Sequence, residues 1–148
     1  MKQNKNEIAL LNQLLKQLYQ TISQYDLYIM KAKEDEQIKS ILQKIQKQHH
    51  EQIGHLVDLI QELEGNPVNS AGMNTRFKEF TLRLTLYNIQ KILDQAMQDE
   101  ERLIQALEQT KGNVSENIKV RIKDFIREMK AIVKRLYQAK MDVMKGKK

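Results

Sequence analysis

All three histidines of this chain fall within eight residues, Gln48-His49-His50-Glu51-Gln52-Ile53-Gly54-His55. Imidazoles beside carboxylates and amides at helical spacing are the parts of a metal site or of an acid–base pair. An apolar seam at Ile38, Leu42, Ile45, Leu56, Leu59 and Leu63 passes through the same segment in alternating steps of four and three. Continued through the gap, it lands on His49 and Gln52, with His55 one turn further on. Polar, metal-capable groups are therefore expected to point into a core. Glu100 fills the equivalent place in a second seam, Leu82, Leu86, Ile89, Leu93, Ala96, Leu103 and Leu107.

Carboxylate-bridged metal sites in helical bundles use a Glu from each of two helices and a Glu-x-x-His pair from each of the others. Gln52-x-x-His55 has that spacing, but the glutamine brings no charge and cannot bridge two ions. The candidate ligands are His55, Glu100, Gln52 and His49, suited to iron or manganese. The competing expectation needs no metal. His55 and Glu100 hydrogen-bond each other in a buried pair, His49 does the same with Gln52 or Tyr19, and His50 and Glu51 face solvent. No nucleophile or oxyanion donor accompanies the histidines and no phosphate-binding loop is present, so no catalytic residues are expected.

Four helices must position these groups. The first, from about Asn6 to Lys31, carries Ile8, Leu11, Leu15, Leu18, Ile22, Tyr25 and Ile29, with Leu10, Leu14 and Met30 widening the stripe to bundle width. Asp35 is a good N-cap for the second, about Glu36 to Glu64, which Gly65-Asn66-Pro67 should stop. Residues 65–74 form the only long loop and the start of a crossover. The third helix is expected from near Thr75 to Thr110, with an offset stripe at Phe77, Phe80 and Leu84. Asn113-Val114-Ser115-Glu116 then offers a capping box for the fourth, about 114 to 144, whose seam is Ile118, Ile122, Phe125, Met129, Ile132, Leu136 and Val143. The fold class is all-α, a single four-helix domain over residues 1–148.

Composition narrows the function. There is no cysteine, which excludes disulfides, thiolate catalysis and Cys-ligated metals. The N-terminal residues do not resemble a signal peptide, and no apolar run approaches the roughly 20 residues of a membrane span, so a cytoplasmic protein is expected. The net charge is +6, and residues 111–148 hold twelve Lys/Arg against four Asp/Glu. That basic last helix could follow a nucleic acid or another anionic surface, or simply be solvated.

The run His55-Leu56-Val57-Asp58-Leu59-Ile60-Gln61-Glu62-Leu63-Glu64-Gly65-Asn66-Pro67 resembles the end of helix two in rubrerythrin-type proteins of the ferritin-like superfamily. Leu11-Asn12-Gln13-Leu14-Leu15 with Tyr25, and the acidic Asp99-Glu100-Glu101, are similar to small bacterial ferritin-like families of unknown function. The resemblance implies an up-down bundle with a crossover between helices two and three. It places Gln52, His55 and Glu100 inward, and implies a branch that kept the bundle without the metal chemistry. The expectation is a non-enzymatic structural, interaction or stress-associated protein with a degenerate metal site and no cofactor. One alternative is an iron- or manganese-dependent oxidoreductase or iron-handling protein using His55 and Glu100. Another is a binder of nucleic acid or anionic surfaces through helix four. A homodimer is expected through Leu10, Leu14, Tyr28 and Met30, or through the Phe77–Phe80 stripe.

Overall fold

The computed structural model describes residues 2–70 and 88–146. Their regular structure is four helices: α1 (Lys2–Lys31), α2 (Glu36–Glu62), α3 (Ile89–Lys111) and α4 (Glu116–Met144). Each helix packs on two others, in the cyclic order α1, α2, α4, α3. The pairs α1/α4 and α2/α3 therefore face each other across the core. None of these helices is long and apolar enough to cross a membrane.

The core has two apolar halves. One gathers Leu11, Leu15, Leu56, Ile60, Leu103, Leu107, Ile122 and Met129 with their neighbours. The other gathers Tyr25, Leu42, Ile45, Leu93, Ala96, Ile132 and Leu136. Between them lies a layer of buried polar groups: Gln24, His49, Gln52, Asp99 and Glu100. A leucine or isoleucine in each of these places would add about 1.5–3 kcal/mol of burial. The layer forgoes that contribution, so its role is specificity or chemistry rather than maximal stability.

The helix ends explain several departures from the sequence reading. Asp35 caps α2 as expected, accepting from the Ile38 amide at 3.2 Å. At the other end, the left-handed residue is Glu64 (φ 64°), not Gly65. Glu64 N–H donates to Gln61 O and Gly65 N–H to Ile60 O, both at 2.9 Å, the pair of bonds that closes a Schellman end. Gly65 is needed for a different reason: a Cβ there would lie 2.8 Å from Ile8 Cγ2. Just beyond, Asn12 holds the chain by donating to Asn66 O at 3.1 Å and accepting from the Val68 amide at 2.9 Å.

Asn113 does not cap α4. It donates to Gln109 O and finishes α3, and the N-cap position is Ser115. Counting from Ser115, the third helical residue is Ile118, which is buried and cannot reach back as a capping-box glutamate would. Glu7 of α1 takes that part, accepting from the Ser115 amide at 2.7 Å.

α3 begins at Ile89, where the Asn88 side chain accepts from the Lys91 amide. The expected turns from Thr75, with Phe77, Phe80 and Leu84, lie outside the described residues. The strip suggested for dimerisation is not exposed as a unit: Leu14 and Tyr28 are buried, Leu10 is half-buried, and Met30 alone is open. On helix one those leucines and tyrosines belong to a stripe wide enough to meet both α2 and α3.

Candidate functional site: the polar layer

One chain of hydrogen bonds joins all four helices. Tyr25 on α1 donates through its hydroxyl to Glu100 Oε2 on α3 at 2.6 Å. His49 Nε2 on α2 lies 2.6 Å from the same oxygen, a contact made across the diagonal of the bundle. His49 Nδ1 lies 2.7 Å from Gln52 Oε1, and Gln52 Nε2 donates to Glu128 Oε1 on α4 at 2.8 Å. His49 and Glu100 are both 0% exposed. Glu100 Oε1, also buried, has no partner.

These bonds settle the histidine's tautomer. A carboxylate at Glu128 only accepts, so it draws the Gln52 nitrogen outward and turns the amide oxygen toward His49. Nδ1 must then carry a proton. Nε2 and Glu100 Oε2 share a second proton, with the Tyr25 O–H directed at the same oxygen. Burial pulls the His49 pKa down, but the charge of Glu100 and the bonds from Glu100 and Gln52 outweigh it and hold the imidazole above its usual range. Burial first, then the Glu100 charge, pushes the Tyr25 phenol well above its ordinary value.

A second cluster lies one residue away. Asp99 accepts from the Tyr28 hydroxyl at 2.6 Å, weakly from Gln95 at 3.4 Å, and from exposed Arg102 at 3.5 Å. The Gln24 amide, with its nitrogen turned toward Asp99, donates to Oδ1 at 3.0 Å and to Oδ2 at 2.5 Å. Burial raises the Asp99 carboxyl to about 6 despite those donors. The cluster borders a recess of about 140 Å³ between α1 and α3, lined also by Gln17, Gln20, Thr21 and Leu103.

His49, Gln52 and Glu100 thus meet at the centre, and His55 does not join them. His55 is exposed and lines a recess of about 290 Å³ between α2 and α4 with Lys44, Lys47, Gln48, Glu51, Gln52 and Glu128. The cause is rotational. At about 100° per residue, each three-residue step falls about 60° short of a full turn. One such step keeps Gln52 beside His49; a second swings His55 roughly 120° away, and Leu56 takes the inward place instead. The expected His55–Glu100 pair is therefore a His49–Glu100 pair. His50 and Glu51 face solvent as expected. Tyr25, Tyr28, Gln24 and Glu128 were not among the candidates. Their signal was positional, since Tyr25 and Tyr28 stand one turn apart on a face opposite an acidic pair.

A bridged two-metal centre needs about six protein ligands rich in carboxylates. The central donors here are one imidazole, one carboxylate, one amide and one phenol, which does not fit such a centre. Among the described residues, no three His, Cys, Asp or Glu side chains gather to hold an ion.

No curated protein and no solved structure matches the chain. One family model does match, over residues 6–113. That span covers α1 to α3 and contains Tyr25, His49, Gln52, Asp99 and Glu100, while Glu128 on α4 lies beyond it. With most of its length matched, the chain belongs to the family described as Domain of unknown function (DUF2383).

Proposed function

We propose that the chain is a ferritin-like bundle acting as a non-enzymatic structural or interaction protein around a degenerate metal site. The crossover in this reading is supported by the two ends of the α2–α3 connection. Asn66 and Val68 are held by Asn12, whereas Asn88 lines a recess with Lys31, Ala32 and Asp35. The observation that carries the reading is the hydrogen-bonded chain Tyr25–Glu100–His49–Gln52–Glu128, which ties four helices together. A polar layer of this kind penalises every helix register that leaves one of its members unpaired. A homodimer would draw on the exposed Met30, Val120, Tyr137 and Met144.

The test compares a single and a double variant in chelator-treated protein. His49→Ala, which leaves Glu100 buried with only the Tyr25 hydroxyl for a partner, should lose about 3–5 kcal/mol in urea unfolding. His49→Leu with Glu100→Leu should recover most of that loss. A His49→Ala variant as stable as the native chain would end the structural reading.

A second reading is favoured by the α4 surface. Lys123, Lys130, Lys134 and Arg135 are exposed and form no ion pair among the described residues. We propose this face for an anionic partner. Binding to a nucleic acid or an acidic surface would fall steeply as salt rises. Salt-insensitive binding, or none, would reject it.

A further inference from the structure

We infer that one flank of α4 is a binding strip for single-stranded nucleic acid, in which Lys123, Lys130 and Lys134 neutralise phosphates and Tyr137 stacks against a base. The inference rests on the second reading above, which asks only for an anionic partner, and it names that partner.

Three observations converge. The first is alignment. At about 100° per residue, Lys123, Lys130, Lys134 and Tyr137 fall within a strip roughly 60° wide, and a rise of about 1.5 Å per residue spreads them over about 21 Å. Arg127 borders the strip but is engaged by Asp124 at 2.9 Å. Arg135 is turned about 100° from Lys134 and lies off the strip. The second is charge. The three lysines are exposed and form no ion pair among the described residues. Glu108 on the neighbouring α3 is held below the usual carboxylate range first by the bond from Lys111, at 2.9 Å, and last by the charge of Lys130. That carboxylate is already served, and Lys130 keeps its charge for a partner. The third is the aromatic ring. Tyr137 is 54% exposed, one turn beyond Lys134, whereas Tyr25 and Tyr28 are buried. Single strands use this combination: phosphates follow a line of cations while unpaired bases stack on an open ring.

The same features weigh against other anionic partners. A helix that lies in a membrane surface buries a broad apolar face there. The apolar face of α4, with Ile118, Ile122, Met129, Ile132 and Leu136, is already occupied by the core. Outside it the large exposed apolar side chains of α4 are Val120, Tyr137 and Met144. Val120 stands about 25 Å from Tyr137 along the axis, so they form no continuous patch for lipid. In a duplex the bases are stacked on one another and offer Tyr137 no free face. The contacts proposed here go to phosphates and to base faces, not to base edges, so binding is expected to tolerate sequence.

The experiment titrates the full chain, without an affinity tag, into three probes: a labelled oligothymidylate about 16 nucleotides long, the same strand in a duplex, and phosphatidylserine vesicles. The single strand should bind tightest, with log K falling against log salt at a slope of about −2 for three phosphate contacts. Lys130→Gln should reduce that slope by about 0.7, and Arg135→Gln should leave it unchanged. Tyr137→Phe keeps the ring and should keep the affinity, whereas Tyr137→Leu should weaken binding about tenfold. The chain has no tryptophan, so tyrosine emission is directly readable, and its quenching by the strand should be lost in Tyr137→Phe. All of these substitutions fall at exposed positions and should leave the fold intact. Equal affinity for strand and duplex, Tyr137→Leu binding as tightly as Tyr137→Phe, or Arg135→Gln changing the slope as much as Lys130→Gln would each overturn the inference. Binding to the duplex or the vesicles alone would overturn it and leave the anionic-partner reading standing; binding to none of the three would end both.

Discussion

Asp99 and Glu100 are neighbours on α3 and both are shut away from solvent, at 3% and 0% exposure. Their surroundings differ in most other respects. The turn of about 100° between consecutive helical residues sends Glu100 to the diagonal of the bundle and Asp99 to the α1–α3 groove. Asp99 meets a tyrosine, two amides and a guanidinium, beside a recess wide enough for water. Glu100 meets a tyrosine and an imidazole on one oxygen and nothing on the other. Burial alone therefore does not set a carboxylate's chemistry; the number of donors and the access of water decide it.

The largest expected effect sharpens that contrast. Glu100→Ala strands His49 in the core and should cost about 3–5 kcal/mol. Asp99→Asn keeps its shape beside a groove that water can enter and sheds a charge that burial disfavours, so above pH 6 it should cost under about 1 kcal/mol. Equal losses in urea unfolding would erase the distinction.

The next effect is on pH dependence. With Asp99 raised from 3.8 to about 6, the folded state binds more protons than the unfolded state between those values. Its contribution thus makes stability fall as pH rises from about 4 to 6, by at most about 3 kcal/mol. His49 adds a second fall at higher pH. Its folded value lies above 6.5, so its contribution is complete below 6.5 and is lost as pH rises through the folded value. Thermal melts of Asp99→Asn should lack the lower limb and keep the upper one. A variant with an unchanged profile would break the assignment.

Smaller still are the two tyrosines. Tyr25→Phe should cost about 1.5–3 kcal/mol as a lost bond to a charged group, and Tyr28→Phe about 1 kcal/mol, since Gln24 also serves Asp99. Chemical unfolding that ranks them the other way would mean the groove cluster is the tighter one. Arg102→Ala should change stability by under about 1 kcal/mol, because its side chain is 65% exposed and 3.5 Å from Asp99. A larger loss by the same measurement would make the groove drier than its lining suggests.

Much of the bundle was legible because leucine and isoleucine spacing encodes helices directly. His49, Gln52 and Glu100 were legible as interruptions of those seams. His55 was misplaced because counting by turns accumulates rotational error, which only the buried Leu56 exposes. Gly65 could be foreseen as a helix stop, but the pressure of Ile8 against it depends on a neighbour 57 positions earlier. The His49 tautomer was out of reach for the same reason. It depends on Glu128, a residue on the far helix with no mark in its own surroundings.

The bond between Glu7 and the Ser115 amide spans 108 positions. It makes the first turns of the chain a latch on the last helix. Until α1 docks, the start of α4 has its own Glu116 but the Ser115 amide lacks its Glu7 acceptor. Clipping the leading segment should therefore quicken hydrogen exchange at Ser115 and its neighbours and fray α4 from that end. Two segments far apart in the sequence are in this sense guardians of one another, and damage to the start of α1 is felt at the start of α4.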